Sequence, residues 1–349
     1  MINYENYSPN LSFFAASNGY CGFTSLFDQI FDPIEFKRIF ILKGGPGTGK
    51  STLMKGIIKF ANRIGIYSEA VYCSSDTNSL DGVILIDNEE KVAVIDGTAP
   101  HATDPKYPGA IDEIINLGEG FNEDYLTSRK KEIVFLNIDK SDAYKQAYSY
   151  LKLAGNVHQQ VLSEYKKKID DIAVEKLARS IYDTYESGNE YEKSRKYYLG
   201  SFSRFGYTMI DNTTNDLRTK VLLSGDGFAE QFVIKSLYKK LSEKRKVKAI
   251  CPSPFSEKLI DAVCTDKYVF KTQGDCDINI NLSDICRDPY SFNREMNVYQ
   301  ELIDLSVKSF QIASNNHFKL EAIYSEAMDY SHNDEIFHSL VQKIDKILS

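Results

Sequence analysis

The sequence predicts an α/β protein in which one structural unit, a core of strands and helices with a helical extension, occurs twice. Residues 37–61 consist in order of a β-rich run, a glycine-rich loop and a segment with helical apolar spacing. Short patterns of the first half recur in the same order in the second half. Two proline-free stretches, about 122–185 and 293–348, also have helical spacing. These three observations define the predicted fold class.

The composition limits the class of function. The 349 residues are enough for two cores, and a net charge of −7 argues against non-specific binding to nucleic acid. The sequence has no apolar run long enough to span a membrane, and its first residues lack the features of a signal peptide. Six scattered cysteines are typical of reduced thiols rather than of a disulfide framework or a metal–thiolate site. We therefore expect a cytoplasmic protein with no membrane partner.

The glycine-rich loop matches the G-x-x-x-x-G-K-[ST] motif, which binds the phosphates of a nucleotide. Its glycines let successive backbone N–H groups turn toward a phosphate, and the following helix adds the positive end of its dipole. A turn that only connects a strand to a helix would not require the lysine and the serine in this register. The predicted nucleotide-binding residues are Gly44, Gly45, Pro46, Gly47, Thr48, Gly49, Lys50, Ser51 and Thr52.

The motif implies roles for its charged and hydroxyl side chains. Lys50 is expected to contact the β- and γ-phosphates, and Ser51 to bind Mg²⁺ through its hydroxyl. Magnesium also needs an acidic residue at the end of a neighbouring strand. Asp96 follows four apolar residues and is preferred as that ligand over Asp87, which lies in a polar stretch typical of a turn. Asp76 either faces a phosphate acceptor or belongs to an ordinary turn.

Internal repetition predicts that the chain is a duplication. The pattern at residues 13–24 recurs 184 positions later, the run at 39–44 recurs 181 positions later, and residues 71–73 recur 178 positions later. Residues 154–170 match a segment that lies 159 positions later. Each match is weak alone, but chance does not account for their common order and gradually changing offset.

The second core lacks the phosphate-binding chemistry of the first. At an offset of 181, the motif lysine becomes Gln231 and the motif serine becomes Phe232, which would fill the place of the magnesium ligand. The magnesium carboxylate becomes Thr272, and Glu230 would repel a phosphate. We therefore expect the second half to be a structural or regulatory partner that binds no nucleotide.

One loop is present only in the first core, which carries about eleven residues more than the second after Asp96. This loop, residues 98–109, follows the proposed magnesium ligand and is predicted to lie at the carboxyl end of the sheet, over the γ-phosphate. His101 and Asp104 are its candidate catalytic residues. A solvated, proline-rich loop without a catalytic role is the alternative. The absence of the loop from the degenerate core favours a function for it.

A hairpin of two helices is predicted after each core. The chain then divides into a first core at 1–121, a helical hairpin at 122–190, a second core at 191–290 and a helical extension at 291–349. His158 and His317 occupy equivalent places in the two hairpins, and packing between helices is a better explanation for them than metal binding. Tyr165 and Tyr324 are expected to pack inside the hairpins.

Residues 40–51, 95–101 and 104–110 together resemble a known family, the tandem P-loop ATPases of Firmicutes, whose members are usually labelled only as ATPase or nucleotide kinase. The similarity covers nearly the whole chain. It implies the P-loop NTPase fold, ATP binding at residues 44–52 and a functional loop at 98–109. Relatives often keep a phosphate motif in their second half, and this sequence departs from that pattern. A mechanism with two active sites is therefore not expected.

Three functions remain open at this level. The leading hypothesis is Mg²⁺-dependent ATP hydrolysis in the first half, coupled to movement between the halves, with Lys50, Asp96, His101 and Asp104 as catalytic residues. The alternatives are a kinase whose small-molecule acceptor lies under the 98–109 loop, and a nucleotide-dependent binding switch with negligible turnover. The base preference and the oligomeric state are open. The candidates for an arginine finger are Arg38, Arg63 and Arg129.

Overall fold

The computed structural model describes residues 7–185, 188–210, 217–283, 285 and 292–348. The chain is α/β, as predicted, and contains two six-stranded mixed sheets. The elements of the first half are β1 (Leu11–Phe14), β2 (Ala16–Gly19), β3 (Gly22–Ser25), α1 (Phe27–Ile30), β4 (Arg38–Lys43), α2 (Lys50–Ile64), β5 (Tyr67–Tyr72), β6 (Leu80–Asp87), β7 (Glu90–Asp96), β8 (Asp112–Asn116), α3 (Glu123–Ser128), α4 (Lys130–Lys166) and α5 (Asp171–Tyr185). The elements of the second half are β9 (Arg195–Lys196), β10 (Gly200–Ser203), β11 (Gly206–Met209), β12 (Thr219–Ser224), α6 (Ala229–Glu243), β13 (Ala249–Ser253), β14 (Ser256–Cys264), β15 (Tyr268–Lys271), β16 (Ile278–Asn281), α7 (Asn293–Glu326) and α8 (Ser331–Leu348).

The two large sheets have the same strand order. The first runs β1-β5-β6-β7-β4-β8, and the second runs β9-β13-β14-β15-β12-β16. In each sheet the third strand in this order is antiparallel to both neighbours, and the other neighbouring pairs are parallel. Both ladders also have an irregularity at the same point, between Val71 and Tyr72 in the first sheet and between Cys251 and Pro252 in the second.

The sheets pack face to face, and a helix covers the outer face of each. Along β4, Ile39 and Ile41 belong to the apolar cluster shared with the second sheet, whereas Phe40 and Leu42 pack against α2. This division follows from the strand itself, because alternate residues face opposite sides. In the same way, α6 covers the outer face of the second sheet. The layers are therefore helix, sheet, sheet and helix.

The contact between the halves contains a reciprocal pair of hydrogen bonds. The N–H of Phe14 donates to the carbonyl oxygen of Tyr198, and the N–H of Tyr198 donates to the carbonyl oxygen of Phe14, both at 2.9 Å. The two residues are 184 positions apart, which is the offset of the surrounding repeat. Contacts between equivalent positions are typical of a two-fold interface.

The helical hairpins are exchanged between the halves. Helices α4 and α7 pack along each other. Beyond them, α5 packs on α6, so that Val174, Ala178 and Ile181 join the core of the second half. Helix α8 packs on α2, and its Leu340 and Ile344 join the core of the first half. The predicted helices are present, but the sequence does not predict this exchange. Among the described residues, no helix is both long and apolar enough to cross a membrane.

The two equivalent histidines of the hairpins have different environments. His158 lies among aromatic rings, including those of Tyr20 and Phe255, and its burial lowers the pKa to about 4. The packing role predicted for it is confirmed. His317 instead lies 3.5 Å from Glu321 with a side chain that is 40% exposed, so the prediction of a packed histidine is wrong at this position.

Candidate functional site

Residues 44–49 connect β4 to α2, so the motif lies between a strand and a helix as the sequence predicts. Gly47 and Gly49 have φ values of 74° and 84°. This left-handed region is open to glycine and strained for most other residues. Gly49 precedes the first residue of the 15-residue helix α2. The loop therefore brings the positive end of a helix dipole to the end of β4.

The side chain of Lys50 folds over this loop. Its Nζ donates to the carbonyl oxygens of Gly44 and Gly45, each at 2.9 Å, and lies 3.6 Å from Oδ2 of Asp96. The side chain of the lysine is only 10% exposed. A positive charge is thus fixed over the loop, where it could make a charge-assisted hydrogen bond to a phosphate.

The outer side of the loop is held by the hairpin of α7 and α8, which comes from the second half of the chain. The Tyr330 hydroxyl donates to the carbonyl oxygen of Gly47 at 2.7 Å, and Nδ2 of Asn333 donates to that of Thr48 at 2.8 Å. In a trans peptide the N–H points opposite to the C=O. The N–H groups of Thr48 and Gly49 therefore point away from the hairpin, toward the inside of the loop.

The two hydroxyl residues that follow the lysine differ in exposure. Ser51 Oγ accepts a hydrogen bond from the N–H of Leu80, at 3.0 Å, which places this hydroxyl beside the start of β6. Thr52 is exposed on α2. A hydroxyl oxygen has two lone pairs, so Ser51 keeps one acceptor position for a cation after this bond.

Asp96 and Asp87 lie at opposite ends of the hairpin formed by β6 and β7. Asp96 pairs with Leu42 at the end of β4, next to the loop, whereas Asp87 pairs with Glu90 at the hairpin turn. The position of Asp96 agrees with the preference for it, and its role in binding magnesium stays a prediction. Burial raises the pKa of the Asp96 carboxyl, while the Lys50 ammonium opposes the rise.

The described residues contain no group of three or more His, Cys, Asp or Glu side chains arranged to hold a metal ion. This finding excludes a preformed, all-protein metal cage only. Magnesium in nucleotide sites is commonly bound through one or two carboxylates together with substrate phosphates and waters. Ser51 and Asp96 are therefore the residues that could hold it once a nucleotide supplies the remaining oxygens.

His101 is directed away from the solvent and into the protein. Its Nε2 lies 3.1 Å from Oδ2 of Asp81, its side chain is 4% exposed, and its ring stacks on Phe27 with 4.5 Å between centroids. Asp81 was not among the predicted site residues, and its carboxylate is close enough to raise the pKa of Asp96. The signal that could have revealed it is Asp261, which occupies the matching position in the second sheet.

Asp104 lies at the surface, with a side chain that is 96% exposed. Its Oδ1 is 3.4 Å from Nζ of Lys43, which also donates to the carbonyl oxygens of Gly97 and Thr103. Lys43 thereby ties the 98–109 loop to the end of β4. The structure does not bring Asp104 into contact with the lysine of the motif, so its predicted catalytic role gains no support.

An arginine from the second half contacts the segment that follows β5 in the first half. Nη2 of Arg204 is 4.0 Å from Oδ1 of Asp76, the residue that begins the turn between β5 and β6. The same carboxylate oxygen accepts the N–H of Asn78, which is the arrangement of an ordinary turn. Of the predicted candidates, Arg38 donates to the carbonyl oxygen of Gly109. Arg129 binds Glu132, and Arg63 lies over the ring of Phe60 at the far end of α2.

The structure changes the predicted alignment between the two loops. The second loop, residues 225–228, does not match the first at the offset of 181. Oε1 of Gln231 accepts the N–H of Ile260 at 3.1 Å, as Ser51 accepts that of Leu80. Ile260 and Leu80 stand at the same irregularity of their sheets. Gln231 therefore matches the serine, and Glu230 matches the lysine. The offset of 181 was wrong in this helix because six residues separate Lys43 from Lys50, whereas only five separate Ser224 from Glu230.

The prediction that Phe232 fills the place of the magnesium ligand is consequently wrong. Its ring stacks on that of Tyr165 with 6.1 Å between centroids. Asp96 is the last residue of β7, and Thr272 directly follows the matching strand β15. The strand pairing therefore agrees with the predicted replacement of the carboxylate by threonine. The second core thus differs from the first at the lysine, the serine and the carboxylate.

Comparisons of the chain with protein-family models, with curated proteins and with solved structures gave no match. The geometry described above is therefore the basis for a functional proposal.

Proposed function

We propose that this chain is an ATP-binding protein with the P-loop NTPase fold, which hydrolyses Mg²⁺-ATP at residues 44–52. The observation that carries the proposal is the position of the Lys50 ammonium, over the glycine loop and 3.6 Å from the Asp96 carboxylate. A γ-phosphate bound there would meet the lysine, the helix N-terminus and a magnesium ion held by Ser51 and Asp96. In this class of reaction the rate comes from such positioning and charge stabilisation.

We also propose that the two halves descend from one duplicated unit and that only the first retains nucleotide chemistry. The common strand order, the matching ladder irregularities and the reciprocal Phe14–Tyr198 pair support a common origin. The arrangement also supports coupling, because the hairpin that holds Gly47 belongs to the second half. The free cysteines found in the described ranges fit a reducing, cytoplasmic location.

Hydrolysis is favoured over transfer to an acceptor beneath the 98–109 loop by the space available there. The cavity lined by Phe27, Thr103 and Asp104 has a volume of about 10 Å³. That volume holds no more than about one water molecule. The ring of His101 stacks on Phe27, one of the residues that line this cavity. An acceptor in this cavity would therefore require the 98–109 loop to open.

A calorimetric titration and a phosphate-release assay test the proposal. ATP with magnesium should bind with a stoichiometry near one per chain, and phosphate should be released without any added acceptor. ADP formation that depends on an added metabolite would identify a kinase instead. Tight binding without turnover would identify a nucleotide-dependent switch. A protein that binds no ATP would refute the site itself.

A further inference from the structure

The loop of the second half encloses a carboxylate of its own chain. Glu230 is 5% exposed, and its Oε1 accepts the N–H groups of Gly225 at 2.6 Å and Gly227 at 3.2 Å. The side chain starts from the first turn of α6 and turns back into the loop. A buried carboxylate is costly unless hydrogen bonds compensate its charge, and here the glycine N–H groups supply them.

A second carboxylate uses the next donors of the same loop. Oδ1 of Asp226 accepts the N–H groups of Phe228 at 3.1 Å and Ala229 at 3.0 Å. Its other oxygen, Oδ2, accepts the hydroxyl of Tyr165 at 2.6 Å. The N–H groups of four of the five residues from 225 to 229 are thus bound to carboxylates of the loop and its helix.

The second loop shares one left-handed glycine with the first loop. Gly227 has a φ of 90°, and it matches Gly47 with a φ of 74°. Converging backbone N–H groups at the start of a helix form an anion site. The first loop has Lys50 where the second has Glu230, so the sign of the charge at this position is reversed.

We propose that the second loop is an oxyanion-binding site whose permanent ligand is the chain's own Glu230 carboxylate. The carboxylate occupies donors that would otherwise bind a phosphate oxygen, so this half keeps its loop folded with no external ligand. The proposal rests on the contacts of this loop and does not depend on turnover at the first loop.

The second carboxylate oxygen makes no such contact. Oε2 of Glu230 is buried and has no hydrogen-bond partner among the residues that the structure describes. A side chain placed there only for packing would not need to be charged. The hydrogen bonds from the two glycine N–H groups therefore explain why a carboxylate is buried here. Removing the side chain should leave these donors open to another oxyanion.

Chemical rescue of Glu230→Ala by inorganic phosphate tests the proposal. Thermal unfolding of the full chain would be followed in sodium phosphate and in sodium chloride at equal ionic strength. In chloride the variant should melt about 2–6 °C below the wild type, because buried N–H donors lose their acceptor. Phosphate should recover about 2–3 °C more in the variant than in the wild type. Glu243→Ala, at the exposed end of the same helix, is the matched control and should show neither effect.

Two further variants separate the second loop from the first. Lys50→Ala/Glu230→Ala should keep the rescue by phosphate, since the proposed anion site does not include Lys50. Loss of the rescue in this double variant would place the phosphate in the first loop and overturn the proposal. Glu230→Gln keeps an acceptor oxygen without the charge, so it should melt between the wild type and Glu230→Ala and gain little from phosphate. A Glu230→Gln protein as stable as the wild type would contradict a role for the charge, even if Glu230→Ala did not fold.

Discussion

The two glycine-containing loops of this chain have one matching left-handed glycine, but they differ in length and in the charge at one position. Each lies between a parallel strand and a long helix, and each has a glycine with a left-handed φ at the matching place. At the first residue of α2 stands Lys50, and at the matching residue of α6 stands Glu230. Under our proposals, a glycine-containing turn before a helix does not by itself make a nucleotide site. The residue at this position then determines whether the loop binds an external anion or the carboxylate of its own chain.

A tyrosine of a helical hairpin also contacts each loop, although the two tyrosines are not at equivalent positions of the repeat. Tyr330 of the C-terminal hairpin donates to the first loop, and Tyr165 of the other hairpin donates to the second. Each loop is therefore held by a helix pair from the opposite half. In the first half this contact reaches a backbone carbonyl, whereas in the second it reaches the carboxylate of Asp226. A change in the conformation of the first loop would therefore alter a contact that the second half of the chain makes.

Among the variants that test this comparison, Lys50→Ala should have the largest effect. Removing the ammonium should weaken ATP binding by about 10- to 150-fold, the value of a charge-assisted hydrogen bond of about 1.5–3 kcal/mol. Calorimetric titration with Mg²⁺-ATP measures this. The control is Arg63→Ala, near the other end of α2 and about 20 Å along the helix, which should bind as the wild type does. Unchanged affinity in Lys50→Ala would refute the assignment of the site.

The next largest effect distinguishes between Asp96 and Asp87 as the candidate magnesium ligand. Asp96→Asn should lower magnesium-dependent phosphate release at least about tenfold, which corresponds to about 1.4 kcal/mol of barrier. The reason is that Asp96 lies beside Lys50 at the end of β7. Asp87→Asn is the matched control, because Asp87 belongs to the opposite end of the same hairpin. The reverse ranking would show that magnesium is held at another edge of the sheet.

Part of this comparison is readable in the sequence, and part is not. Glycine spacing and apolar periodicity are local properties, so the first loop and the long helices are predictable. The exchange of hairpins depends on which of two similar cores a helix meets, and no local pattern records it. The offset of 181 holds along β12 and changes within the second loop, which is why Glu230 is not recognised as the counterpart of Lys50. Asp81 lies inside a strand, and its sequence signal, the matching Asp261 in β14, becomes visible only once the strands of the two sheets are aligned.

A third prediction concerns the carboxylates that match one another in β6 and β14. Asp261 is 2% exposed, and burial raises its pKa to about 7, although Ser253 and Tyr207 donate hydrogen bonds that oppose the rise. A carboxyl group with a raised pKa in the folded state binds protons more tightly there than in the unfolded state. Its contribution to stability is therefore lost as the pH rises from about 4 to about 7.

Asp261→Asn should consequently be more stable than the wild type at pH 8, by a few degrees in melting temperature, with a smaller difference at pH 4. Thermal unfolding at the two pH values measures this. Asp266→Asn is a suitable control, because the pKa of Asp266 is lowered and the sign of its effect should be opposite. The prediction would be wrong if the stability of the wild type, relative to that of Asp261→Asn, increased between pH 4 and pH 7.

The smallest expected effect tests the covers of the loops. Tyr330→Phe removes the hydroxyl that binds the carbonyl oxygen of Gly47 without changing the ring. A neutral hydrogen bond contributes about 0.5–1.5 kcal/mol, so ATP affinity should fall by about 2- to 12-fold if the contact keeps the loop in its binding conformation. Tyr165→Phe removes the hydroxyl that contacts Asp226 of the second loop and should lower the melting temperature while leaving ATP affinity unchanged. Equal losses of affinity in the two variants would mean that both covers act on one shared state of the protein, and that the loops are not independently held.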